Sequence, residues 1–127
     1  MDEERIALRV RRLRWVGDSI ERLREFPNQV RKDMGHVLYL VQRGLTPPNA
    51  KPLRGIESGV FEIVDDYDTN TYRAIYTVKV GESIYMLHAF QKKSKRGSKT
   101  PQKELNLVKE RLKRAEQEHA SFNKAKG

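Results

Sequence analysis

The stretch Gly59–Lys92, GVFEIVDDYDTNTYRAIYTVKVGESIYMLHAFQK, decides the fold. It holds three runs rich in Val, Ile, Tyr and Phe, separated by the turn-formers of DYDTN and VGES, which is the pattern of three strands joined by tight connections. In the middle run, period-two alternation puts Tyr72, Ala74, Tyr76 and Val78 on one face and Arg73, Ile75 and Thr77 on the other. An antiparallel meander is the economical topology. One charged residue, Arg73, interrupts an otherwise apolar strand.

Working outward toward the N-terminus, LRVRRLRWVG (8–17) predicts a short strand, and GDSIERLREFP (17–27) a short helix. There Asp18 and Glu21 stand at the two positions of a capping box, and Ile20, Leu23 and Phe26 keep helical spacing. From Asn28, the residues Val30, Met34, Val37, Leu38 and Val41 mark one face of a longer helix that ends at Gly44. TPPNAKPLRG (46–55) supplies turn residues. Beyond the meander, Lys92–Lys99 reads as a basic linker. Thr100 as N-cap and Pro101 at the first helical position then open a helix with Leu105, Val108, Leu112 and Ala115 on one face. The whole is an α+β chain forming a single domain over 1–127, with 1–7 frayed and 116–127 a flexible tail.

The chain has 127 residues, 37% of them hydrophobic, enough for one core and too few for two. The formal charge of +9 and a pI near 9.9 point to a polyanionic partner, nucleic acid before an acidic protein or membrane surface. With no cysteine, disulfides and thiolate metal sites are excluded. The N-terminus is charged where a signal peptide is apolar, and no run of about 18 apolar residues occurs. A cytoplasmic protein without a membrane partner is expected.

No phosphate-binding glycine loop, metal-ligand histidine pair or nucleophile elbow is present, and His36, His88 and His119 lie far apart in sequence. Neither a metal nor another cofactor is expected. The chain is instead cationic around the meander, with Lys51, Arg54, Arg73, Lys92 and Lys93 before, on and after it. That set suits metal-free RNA cleavage, in which the ribose 2′-oxygen attacks the adjacent phosphorus. Arg or Lys must hold the extra charge on the phosphorane, and His88 or a lysine must move protons. Each residue has a plainer role as well. Lys95, Arg96 and Lys99 suit a solvated loop that steers RNA, and Lys92 and Lys93 suit strand-end charges that block edge pairing. Arg73 must meet either a carboxylate such as Glu62 or a ligand. His88 alternates with Met86 and Phe90, as a core histidine would. Trp15, Tyr39 and Tyr85 read as core aromatics rather than base-stacking platforms.

With these residues assembled, the chain resembles a toxin of the RelE/ParE superfamily, in its phage-derived HigB-like branch. The matching phrases are WVGDSIERLREFP, GHVLYLVQRGLTPPNAKPLRGIESGVFEI, TYRAIYTVKV and YMLHAFQKKSKRGSKTP, followed by ELNLVKERLKRA. The resemblance implies a RelE-like fold, with two N-terminal helices packed on one face of an antiparallel sheet and an RNA-binding concavity on the other. It implies an mRNA endonuclease, in many relatives active on the ribosome. It also implies a cognate helix-turn-helix, HigA-like antitoxin, through which alone operator DNA is bound. By position, Arg73 matches the family's strand arginine at the scissile phosphate and Lys92 and Lys93 its basic strand end, while Arg54 falls where relatives often place a basic residue. Lys51, Lys95, Arg96 and Lys99 complete the expected RNA-binding set. RelE relatives carry a functional tyrosine near the C-terminus, whereas EHASFNKAKG (118–127) has none. Two other readings remain: a ParE-like inhibitor of DNA gyrase, and a basic nucleic-acid-binding module. FQKK together with Arg73 favours the nuclease, because a protein-binding poison has no need of cations converging on one phosphate.

Overall fold

The three strands read from the sequence form the middle of a five-stranded sheet. The computed structural model describes residues 10–92 and 99–126. Its elements are β1 (Leu13–Trp15), α1 (Ser19–Arg24), α2 (Asn28–Gln42), β2 (Ala50–Pro52), β3 (Val60–Tyr67), β4 (Asn70–Thr77), β5 (Ile84–Lys92) and α3 (Gln102–Lys126). The sheet order is β1-β5-β4-β3-β2. The β2–β5 part is antiparallel, as expected, and β1 adds a parallel edge against β5.

Strand β2 lies where the sequence reads as turn. Three residues containing Pro52 carry no periodic signal, and they form a strand only because β3 offers hydrogen-bonding partners, with Lys51 opposite Glu62. Proline is tolerated there because β2 is an edge strand with no outer neighbour in the sheet. The β3–β4 hairpin turns through Asp68 and Thr69, both at positive φ (48° and 66°). Two consecutive left-handed residues match the right-handed twist of the flanking strands, as two-residue hairpin loops require.

Alternation along β4 divides the core. Tyr72, Ala74 and Tyr76 join Ile63, Met86 and Ala89 beneath α1 and α2; α2 contributes Val30, Met34, Val37 and Val41, and the connection between the two helices contributes Phe26. On the opposite face Ile75, Leu53, Val60, Tyr85 and Leu87 pack against Leu105, Val108, Leu112 and Ala115 of α3. Burying a side chain such as Val30 or Met34 completely stabilises the fold by about 1.5–3 kcal/mol each. The sheet is therefore covered by the N-terminal helices on one side and by α3 on the other.

Three local expectations change. Opposite Ile75 stands His88, and opposite Tyr76 stands Met86, so Leu87 is an extra residue in β5. This bulge puts His88 on the α3 side and Met86 on the other, which ends their expected alternation. Asp18 precedes α1 without a side-chain cap bond, and Thr100 hydrogen-bonds across the fold instead of to the first turn of α3. Helix α3 runs to Lys126, so residues 116–126, expected as a flexible tail, are helical. Packing of its distal part supports this: His119 lies against Gly81, and the Arg14 guanidinium stacks on the Phe122 ring. Residues 1–7, expected to fray, lie outside the described residues.

Candidate functional site

On the α3 side of the sheet, side chains stand in rungs set by strand register. Asp66, Thr71 and Lys92 form one, Val64, Arg73 and Phe90 the next, and Lys51, Glu62, Ile75 and His88 the third. Helix α3 covers Ile75 and His88 of the third rung, while Lys51 and Glu62 of that rung, with Asp66, Thr71, Val64 and Arg73 of the first two, border an opening. The result is a cavity of about 1070 Å³ between β2–β4 and the head of α3. Among the described residues, the cations Lys51, Arg54, Arg73 and Lys99 line it against the carboxylates Glu62 and Asp66.

Arg73 sits on its floor, only 4% exposed. Its Nη1 donates to Glu62 Oε2 at 3.0 Å and to Thr100 Oγ1 at 3.2 Å, and the Thr100 hydroxyl donates to the same Glu62 oxygen at 2.6 Å. Of the two partners open to Arg73 in the sequence, the carboxylate is therefore engaged, while the residue still lines the cavity. A guanidinium fixed this way presents its charge from a rigid base, which costs little reorganisation when an anion arrives.

His88 is placed differently. It is 1% exposed and does not line the cavity. Its Nε2 lies 2.8 Å from Glu104 Oε1, and Arg111 Nη1 lies 3.5 Å from Nδ1. Arginine has no acceptor, so Nδ1 accepts and Nε2 donates to Glu104. Burial is the main cause that pushes the His88 pKa down, and Glu104 only partly offsets it. His88, expected to move protons, is thus placed beneath α3 with both ring nitrogens engaged and away from the cavity lining. Arg111 also donates to Leu87 O and to Asp18, whose carboxyl it holds below the usual carboxylate range. Asp18, expected as a helix cap, is instead one end of a network joining α1, β5 and α3.

Lys51, Arg54 and Lys99, expected to bind RNA, line the cavity. Lys92 does not line it, but its Nζ donates to Lys99 O at 3.0 Å and braces the segment carrying Lys99. Lys93, Lys95 and Arg96 lie outside the described residues. Sequence reasoning missed Thr100 and Asp66. Thr100 reads as a cap, and only its position opposite Glu62 in space reveals its other use. Asp66 carries no local signal beyond its place near a turn. On the opposite face a smaller cavity of about 400 Å³ is lined by Asp33, His36, Asn49 and Asp65 among others. Burial, then the neighbouring Asp33 carboxyl, raise the Asp65 pKa to about 6. Among the described residues no three His, Asp or Glu side chains converge to hold a metal ion, and no helix is long and apolar enough to cross a membrane.

No curated protein matches the chain in sequence. Among solved structures, a mutant of the E. coli toxin RelE in its free state is similar at TM-score 0.55 and 18% identity, covering 83% of this chain and 97% of that one. A RelBE toxin–antitoxin complex from Mycobacterium tuberculosis gives TM-score 0.46 and 17% identity, over 68% of this chain and 97% of the matched one. The likeness in fold rests on the first of these. The family model described as phage-derived protein Gp49-like (DUF891) matches residues 21–113, from α1 to the middle of α3, and thus includes every residue given above as lining the larger cavity. The chain belongs to this Gp49-like family of phage-derived proteins, on a fold shared with the RelE toxin.

Proposed function

We propose that the chain is the toxin of a type II toxin–antitoxin pair, of HigB-like type within the RelE superfamily, and that it cleaves messenger RNA on the ribosome. The observation that carries this reading is the buried Arg73, held by Glu62 and Thr100 on the floor of a cationic cavity. The cavity has the chemistry that cleavage needs. Lys51, Arg54 and Lys99 bind backbone phosphates, and Arg73 stabilises the charge that builds on phosphorus as the 2′-oxygen attacks. Glu62 is the carboxylate in place to take the 2′-hydroxyl proton, and Lys51 or Lys99 the amine in place to protonate the departing 5′-oxygen. The partner is a helix-turn-helix antitoxin, whose acidic or amphipathic segment neutralises the same cations. The positive charge of the chain makes their association fast and salt-sensitive.

The test is single-turnover cleavage of message on purified ribosomes, read beside melting temperature. Arg73→Gln removes the charge and leaves a shorter, neutral amide in its place. It should remain folded while cleavage falls on the order of 10²-fold or more. Arg73→Lys should recover part of the rate, since it restores charge without the planar fork. A folded Arg73→Gln that cuts at the wild-type rate would overturn the reading. So would intact transcripts beside inhibited DNA gyrase in cells expressing the chain alone.

A further inference from the structure

The cavity contains a carboxylate that phosphate binding does not need. Asp66 is exposed, lines the same cavity as Arg73, and accepts a hydrogen bond at 2.8 Å from Thr71 Oγ1. Thr71 is two residues from Arg73 on the same face of β4, roughly 7 Å along the strand, the scale of one nucleotide. A carboxylate facing an RNA groove weakens attraction for the backbone unless it meets donors, and in RNA the donors are base edges and ribose hydroxyls. The Thr71 hydroxyl fixes how the Asp66 carboxylate points. Each of its oxygens has two acceptor sites, so the bond from Thr71 leaves both free to accept more.

We infer that Asp66, oriented by Thr71, reads the Watson–Crick edge of a guanine flanking the scissile phosphate. The inference rests on the RNA-cleaving reading above. Guanine presents its N1–H and an N2–H in parallel, matching both oxygens of a carboxylate in a bidentate pair. Uracil offers one N–H between two carbonyl oxygens, which face the carboxylate repulsively. Cytosine and adenine each offer a single amine beside a ring nitrogen that also repels it. Asp66 is thus a specificity residue, set beside Arg73 and apart from the phosphate chemistry.

The test compares messages carrying guanosine or inosine at each position flanking the cut, with the intact protein on ribosomes. Inosine removes only the N2 amine. Wild-type protein should cut the guanosine message on the order of tenfold faster, as expected for one lost hydrogen bond to a charged group. Asp66→Asn should bring that ratio close to one and raise relative cutting beside adenine, which an amide pairs with in bidentate fashion. A guanosine-to-inosine ratio that is unchanged in Asp66→Asn, or already near one in the wild type, overturns the inference and shows Asp66 to be a solvated carboxylate. If the wild type cuts no message, the nuclease reading fails separately. The same pair of RNAs is then compared in binding: preference for guanosine, lost in Asp66→Asn, supports the base-reading role, and equal binding overturns it.

Discussion

Arg73 Nη1 lies 3.0 Å from Glu62 Oε2 in a pair almost sealed from water, the two side chains being 4% and 10% exposed. Thr100 closes the triangle from the head of α3. One ion pair therefore joins β3 and β4, and one hydroxyl ties both to the helix that walls the cavity.

Stability should show this pairing directly. Removing one partner of a buried pair strands the other charge, at a cost of about 3–5 kcal/mol. Arg73→Ala and Glu62→Ala should each lose stability on that scale in denaturant unfolding, and the double variant should lose clearly less than their sum. Small, additive losses would mean that water reaches the pair in solution.

The His88 network predicts acid sensitivity. In the folded chain burial keeps His88 neutral, its pKa lowered from 6.5, while the unfolded chain takes up a proton as pH drops below that value. The unfolded state then binds more protons, so this contribution is complete above about pH 6.5 and fades as pH falls toward the lowered folded value. Melting temperature should drop more steeply below about pH 6.5 in wild type than in His88→Gln. Parallel curves would place His88 in contact with solvent.

Asp65 has the opposite sign. Its pKa rises from 3.8 to about 6, so between those values the folded chain holds a proton that the unfolded chain has released. Its contribution is largest at and below about pH 3.8 and is lost as pH rises through about 6. Asp65→Asn, which keeps the polarity without the charge, should melt higher than wild type at pH 7–8. The advantage should vanish toward pH 4, and a variant that is no more stable at neutral pH would contradict the burial of this carboxyl beside Asp33.

Two glycines should respond in opposite directions. Gly17 has φ +59°, and a Cβ there would come within 2.8 Å of the Arg111 guanidinium. Gly17→Ala should therefore destabilise by about 1–2 kcal/mol from the left-handed backbone alone, with more from displacing Arg111. Gly35 lies inside α2 with nothing within 4 Å of an added Cβ. Gly35→Ala should stabilise by about 0.5–1 kcal/mol. Thermal melts of the two variants beside wild type check both.

The elements legible beforehand were those whose own residues bury a face. Helix α2 shows its stripe of Val30, Met34, Val37, Leu38 and Val41 because a helix with one buried side must repeat near every 3.6 residues. The β3–β5 meander and α3 are readable for the same reason. Strand β2 and the parallel pairing of β1 are not, since three residues hold no period and a strand's partner is chosen by distant chain.

The sequence by itself determined an α+β fold, a basic chain without cysteine, and an arginine within an apolar strand that had to find an anion. Tertiary structure alone decided which anion Arg73 meets, because Glu62 and Thr100 reach it from β3 and from the head of α3, 11 and 27 residues away. It decided also that His88 turns under α3, through one extra residue in β5 that reverses the facing of what precedes it. It diverted Asp18 and Thr100 from helix ends to Arg111 and Arg73. A charged side chain withdrawn from water must be matched by the nearest available group, and nearness in the folded chain is set by packing rather than by sequence order.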